Sequence, residues 1–445
     1  MVRRYATVIA LGALLAGLSG PMTAQDVKTV LSNAAEAMGA GNLDTIQYSG
    51  SGFGFLFGQG PKPNVPWPRF AMPMYNREID FSAPASHVTI TVNEPQEQFI
   101  AADAPWAQQV DIWVTPFGFL KGAIAAGNAT VRPQTIGGKK YKVVSYTAEN
   151  RYPLNESREI PGEDYIDVTY TVETKGTLSG YINDQNMVER VDTWIDNPVL
   201  GDMLIESTYT AYRDFAGLKF PTRIVQKQGG FPVLDLTVTG VKPNAAVSIQ
   251  PPLSSAPEPA VQTEKIADGV FYIKSSYHSV AVEFKDYAAV IEAPVNEAWS
   301  LAVIAETKKL IPNKAIKYLI NTHSHFDHIG GIRTYVDEGA TIVTHQINKA
   351  FYEKIFARPH NLIPDKLSRS KRKANFETLT DRKVLTDGAR ALELYAQRDN
   401  PHDDGLIFIY LPNEKILIEA DTYNPLAEKL KLSVGRTLPI HGPAL

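Results

Sequence analysis

Four side chains able to bind a metal lie within six residues at Thr322-His323-Ser324-His325-Phe326-Asp327-His328, directly after the strand-like run IKYLIN. Imidazoles combined with carboxylates suit zinc, and suit manganese or iron less well. Along an extended strand His323, His325 and Asp327 would share one side, with His328 opposite. The chain must therefore turn here to bring His328 round. Gly330 and Gly331 follow, as a tight strand-to-helix turn would want. One loop can then serve two metals, His323 and His325 on the first and Asp327 and His328 on the second. Chance is a poor explanation: the chain has 9 histidines in 445 residues, and five of them fall in this loop and in two later motifs.

THSHFDH resembles the signature of the metallo-β-lactamase superfamily, and the later motifs follow in that family's order. The resemblance covers about residues 262–445. It implies two zinc ions per chain that activate water. His402, in NPHDDG, matches the third histidine of the first metal site, beside His323 and His325. Asp421, closing KILIEAD, matches the bridging aspartate. His441, in LPIHG, matches the last ligand of the second site, beside Asp327 and His328. The diiron relatives usually carry glutamate where this chain has His325, so the resemblance favours zinc. It also implies that Asp327 can handle a proton. Tyr423, two residues after Asp421, could donate a hydrogen bond to an oxyanion, although surface packing is the commoner role. His345, at the end of TIVTH, resembles a histidine common nearby in the family and is read as supporting or structural. His87, His278 and His360 are read as incidental. One departure is that only 19 residues separate Asp421 from His441 and four follow it. The family usually has a longer excursion there and a closing helix. PLAEKLKLS can form a short helix leading back to a strand at RTLPI, with a looser site or a barer sheet face as the cost.

Those motifs need strand ends to hold them. Residues 263–445 supply strands in GVFYIK, SVAVEF, YAAVIEA, IKYLIN, TIVTH, LELYAQ, GLIFIYL and KILIEA. Helices are expected over 300–310 and 329–337. The resemblance makes this an αββα sandwich, in a chain of α/β (α+β) class overall. Before it, residues 247–262 contain four prolines and read as a linker. Residues 25–246 are β-rich: after one helical stretch (27–38) come alternating runs such as HVTITVN, DVTYTVET and MLIESTYTAYRDF. Alternation of this kind marks a mostly antiparallel sheet with one wet face, similar to the curved sheets of periplasmic lipoprotein-sorting proteins. Phe53, Phe55 and Phe57 in GFGFLFGQG read as a strand packing its core face rather than as the lining of an apolar cavity.

Residues 1–24 read as an export signal, with Arg3 and Arg4 before a short apolar run and Ala24 at the cleavage point. The run is too short to span a bilayer comfortably. Cleavage would leave no stable membrane anchor and a periplasmic or secreted protein. The chain has no cysteine, which excludes disulfides, a thiolate nucleophile, lipid attachment through Cys and a Cys metal ligand. A formal net charge of −4 gives no footprint for nucleic acid, and no Lys or Arg lies between Lys317 and Arg333. The expected partner is a small-molecule substrate, and the expected reaction is hydrolysis of a carboxylic ester, lactone or amide. The runner-up is a β-lactamase of the cysteine-free type, although that subclass lacks a metal-binding aspartate at the Asp421 position. A nonenzymatic reading also stands, a lipid or small-molecule carrier with a structural zinc domain.

Overall fold

The computed structural model describes residues 24–92, 94–104, 106–158, 166–250, 260–275, 277–422 and 436–439. Nearly all of the expected export signal, the middle of the proline-rich stretch, Tyr423, His441 and PLAEKLKLS lie outside the described residues. Among those residues no helix is long and apolar enough to cross a membrane.

The first part of the chain builds one eleven-stranded sheet, running from Pro95–Ile100 at one edge to Thr130–Ile136 at the other. Neighbours are antiparallel, and Thr45–Phe55 pairs with Phe231–Pro243, so the first and last strands of the region lie side by side. Alternation does what the sequence suggests: in Gly201–Phe215, Ile205 and Tyr209 point into the core while their neighbours Leu204, Glu206, Thr208 and Thr210 do not. The helix Ala24–Met38 buries Val27, Val30, Leu31, Ala34 and Met38 along one face.

Two further helices, Trp106–Trp113 and Pro116–Ala126, correct the reading of this region as strands after a single helix. PFGFLKGAIAA is apolar nearly all round, so it shows no helical period, and it is buried for the same reason. Its ends did carry local signals. Thr115 caps the N-terminus by accepting from Gly118 N, Pro116 opens the first turn, and Gly127 closes the helix in the left-handed region. The phenylalanine run also departs from expectation. The strand stops at Phe55, and Phe57 packs on Trp67 with ring centroids 4.5 Å apart. Phe55 and Phe57, with Phe70, Met72 and Arg77, line a cavity of about 410 Å³.

The C-terminal region is a sandwich of two sheets. A seven-stranded sheet begins antiparallel at Gln262–Ala267 and becomes parallel from Tyr287–Ile291 through Ala315–Ile320 and Thr341–His345 to Asn375–Leu379. The five-stranded sheet runs from Arg382–Thr386 to Arg436–Pro439, the strand expected at RTLPI. Val282, Ile291 and Ile320 of one sheet meet Leu394, Ile409 and Ile418 of the other in a shared core. The other face of the seven-stranded sheet is covered by the helices Glu297–Leu310, Ile332–Glu338 and Gln346–Ala357, through Val303, Tyr335, Tyr352 and Ile355. Met203 of the N-terminal sheet, with Val199 and Leu200 from the turn just before its strand, enters this same apolar cluster. The two regions therefore share a core.

Arg333, 4% exposed, ties the first helix after the histidine loop to the rest of the sandwich. Its guanidinium pairs with both oxygens of Asp365 and donates to the carbonyls of Ile355 and Phe356, each at 3.2 Å. Burial works to raise the Asp365 pKa, but hydrogen bonds from Arg333 and Ser368 bring it down to about 2. Removing one partner strands a buried charge, so Arg333→Met should destabilise the fold by about 3–5 kcal/mol in urea unfolding at neutral pH. A carboxylate whose folded pKa is depressed contributes fully above its unfolded value of about 3.9 and loses its contribution as pH falls through the folded value. The gap between variant and wild type should therefore hold above about pH 5 and narrow towards pH 2.

Candidate metal centre

The strand Ala315–Ile320 ends one residue before the histidine loop, and Asn321 N still donates to Val343 O at 3.0 Å. His325 then stands at the N-cap position of a one-turn helix, Phe326–Ile329, without capping it through its side chain. That turn brings His328 to the side occupied by His323, as the spacing required. Gly330 and Gly331 are needed for close approach rather than for an unusual φ. A Cβ on Gly330 would lie 1.8 Å from Val295 O, and one on Gly331 would lie 1.8 Å from Ser300 Oγ.

Asp421, just past the strand Ile416–Glu419, is the point of convergence. Its Oδ2 lies 3.0 Å from His402 Nε2, 3.1 Å from His328 Nε2 and 3.3 Å from His323 Nε2. Potential ligand atoms of His323, His325, His402 and Asp421 all lie within 4.8 Å of one another, and so do those of Asp327, His328 and Asp421. The structure thus brings six of the sequence-predicted ligands into two groups joined at Asp421. Tyr423 and His441 lie outside the described residues.

Each ring is fixed from behind. Thr322 Oγ1 is 2.9 Å from His323 Nδ1, Gly60 O is 3.1 Å from His325 Nε2, and Glu292 Oε2 is 3.0 Å from His328 Nδ1. Left over are His323 Nε2, His325 Nδ1 and His328 Nε2, all buried and all without a hydrogen bond. Buried polar atoms normally find partners. Three that do not, facing each other beside two carboxylates, fit the donor set of a cation site.

The electrostatics agree for His323 and His325. Burial, aided by neighbouring ring charges, holds His323 well below its ordinary pKa and His325 at about 4, so both offer lone pairs at neutral pH. Burial also opposes charge on His328, but Glu292 and Asp421 outweigh it and raise its pKa well above the usual value. Burial would raise Asp421, yet the His323, His328 and His402 imidazoles gathered around it hold its carboxyl far below the ordinary range. Both Glu292 (φ 73) and Asp421 (φ 61) sit in the left-handed region, a strained conformation that clusters at functional sites.

Residues 275–430 match the family model described as Metallo-beta-lactamase superfamily. This part of the chain is a metallo-β-lactamase superfamily domain. The family match and the His/Asp cluster together point to a metal-binding domain. Among solved structures, a metallo-beta-lactamase from Pontibacter korlensis is 18% identical, with 41% of this chain and 92% of that one covered and a TM-score of 0.32. Rubredoxin oxygen:oxidoreductase from Desulfovibrio gigas is 19% identical over 36% of this chain and 41% of that one, with a TM-score of 0.29. No curated protein matches.

Several residues of this metallo-β-lactamase-type site were not read from the sequence. Glu292 directly follows the strand Tyr287–Ile291 within YAAVIEA, where an acid just past a buried strand was the available signal. Asp403 accepts from Ser324 Oγ at 2.7 Å and from Gly405 N at 2.6 Å, tying the His402 loop to the histidine loop. The Tyr277 ring lies edge-on to His328, with centroids 6.3 Å apart. His345 caps the helix Gln346–Ala357, accepting from Ile347 N, in keeping with a structural reading. His87 stacks on Phe99 in the N-terminal sheet.

In Glu292→Gln the amide oxygen can still accept from Thr322 N, as Glu292 Oε1 does now at 2.6 Å. The amide NH₂ would then face His328 Nδ1 and force the proton onto Nε2, the atom aimed at Asp421. Metal affinity of the group containing His328 should fall about 10–100-fold, while the group containing His402 keeps its affinity. Elemental analysis after dialysis against graded chelator reads both.

Proposed function

We propose that the chain is a zinc-dependent hydrolase acting on a carboxylic ester, lactone or amide, with two zinc ions per chain. The observation that carries this reading is the set of three buried imidazole nitrogens that make no hydrogen bond and converge with Asp421 in two ligand-like groups. His323, His325 and His402 would hold one zinc, Asp327 and His328 with His441 the other, and Asp421 would touch both. Zinc bound there supplies Lewis acidity, ionising water near neutral pH and polarising a carbonyl.

The protein's own groups do the rest. Glu292 and Thr322 fix the ring orientations, and Asp327, only partly buried at 25% side-chain exposure, can exchange a proton with solvent or a leaving group. Three carboxylates (Asp327, Asp421 and Asp403) and the absence of Lys or Arg from the 318–332 loop suit a neutral substrate that gains charge only in the transition state. A polyanion such as nucleic acid would meet no Lys or Arg within that segment. We further propose export to the periplasm or medium, on the strength of the N-terminal sequence, and a small molecule as the partner.

A second reading, a lipid or small-molecule carrier with a structural zinc domain, is favoured by one observation, the cavity of about 410 Å³ behind Phe55 and Phe70. Turnover separates the two. Purified protein should carry close to two zincs per chain and hydrolyse aryl esters or lactones. Cephalosporin turnover should be weak or absent, and nuclease activity absent. His323→Ala and Asp421→Ala should abolish hydrolysis while His87→Ala retains it. Two bound zincs with silence on every ester and lactone would favour the carrier. Efficient cephalosporin cleavage would promote the β-lactamase, and failure to bind zinc would refute the proposal.

A further inference from the structure

Three consecutive residues of the N-terminal domain reach the metal loops. The loop leaves the strand Thr45–Phe55 and returns at Arg69–Asp80. Within it Gln59 Nε2 donates to Asp327 Oδ1 at 2.8 Å, Gly60 O lies 3.1 Å from His325 Nε2, and Pro61 O accepts from Asp404 N at 2.8 Å. The contacts cross 265 or more residues of sequence for the two ligands. We propose that this loop is a built-in part of the metal centre, with Gln59 and Gly60 as positioning residues for Asp327 and His325. The inference rests on the metal-binding reading above.

The chemistry of each contact is specific. A carbonyl oxygen only accepts, so Gly60 requires the His325 proton on Nε2 and leaves Nδ1 as the lone pair. That Nδ1 is the buried atom without a partner. An ionised carboxylate also only accepts, so the Gln59 amide must present its NH₂ to Asp327. It occupies Oδ1 and leaves Oδ2, which lies 3.5 Å from His328 Nε2, facing the second group. A neutral donor suits this place. A Lys or Arg would hold Asp327 equally well but would cancel the negative charge a cation needs.

The loop is held firmly enough to do this. Trp67, 5% exposed, packs between Phe57 (4.5 Å) and Phe231 (5.2 Å), and Phe57 meets Phe326 edge-on at 5.5 Å. Phe326 stands in the chain between His325 and Asp327, so the aromatic cluster pins the loop to the residues it orients. Gly58 has φ +76, and a Cβ there would come 2.5 Å from the Phe326 ring, so a side chain at this position would push the loop off.

The test uses the full-length protein with Gln59→Met, which keeps the volume and loses the donor. Wild type and variant are titrated with cobalt(II) under chelator competition, following the visible spectrum of each site, and the metal-free unfolding midpoint is measured alongside. The expected result is a fall of about 10–100-fold in affinity at the site containing Asp327, with an altered spectrum there. The site containing His402 and the metal-free midpoint should be unchanged. Trp67→Ala, which frees Gly60 as well, should weaken both sites. Wild-type affinities and spectra in Gln59→Met would overturn the positioning role alone. Equal loss at both sites with a lowered metal-free midpoint would also overturn it, because the effect would then be structural. A wild-type chain that takes up no cobalt would overturn the metal reading, and this inference with it.

Discussion

Three buried imidazole nitrogens converge beside one carboxylate, and among the described residues none of them makes a hydrogen bond. Burying a polar atom without a partner costs on the order of 1–3 kcal/mol, and here three such atoms share one pocket with Asp421. A single tautomer choice on any ring would relieve part of that cost. Gly60 and Glu292, which only accept, remove the choice at His325 and His328, and the Thr322 hydroxyl orients the His323 ring. The arrangement is costly when empty of charge and favourable when a cation enters, which is how a metal site couples to folding.

The surrounding architecture serves this convergence. The parallel strands Tyr287–Ile291 and Ala315–Ile320 deliver Glu292 and the histidine loop at their carboxyl ends, where open α/β sheets characteristically place ligands. The second sheet delivers His402 before Ile407–Leu411 and Asp421 after Ile416–Glu419. The two sheets are stitched together at that edge by the bond from Ile407 N to Thr322 O, 2.9 Å long. The N-terminal sheet adds the third side. Its Met203, with Val199 and Leu200 from the turn just before that strand, shares a core with the sandwich, and Asp202 accepts from the backbone of Asn361 and Leu362 at 2.9 and 3.0 Å. With a common core and loop contacts to two candidate ligands, the β-rich region is part of the same working unit.

The sequence disclosed the site wherever the chemistry is local. HxHxDH is a short-range pattern, and His402 and Asp421 follow at strand ends that hydrophobic alternation marks. Glu292 was less visible, because one acid after a buried strand is common and its partner His328 is 36 residues away. Gln59 and Gly60 were invisible, since neither residue type has a pattern and the contacts close only when two domains dock. The fold followed the same rule. Amphipathic strands and the helix Ala24–Met38 were readable by period, whereas Pro116–Ala126, apolar on every side, hid among strands. Gly330 and Gly331 were expected at the turn, but for backbone freedom; the cause is crowding against Val295 and Ser300.

Anomalous diffraction at the zinc absorption edge, from crystals of the zinc-loaded full-length protein, tests the central claim most directly. Two anomalous peaks are expected, flanking the Asp421 carboxylate. One should touch His323, His325 through Nδ1, and His402; the other should touch Asp327 and His328. No peak at Asp421, or a peak bound to His325 through Nε2 with Gly60 displaced, would contradict that claim.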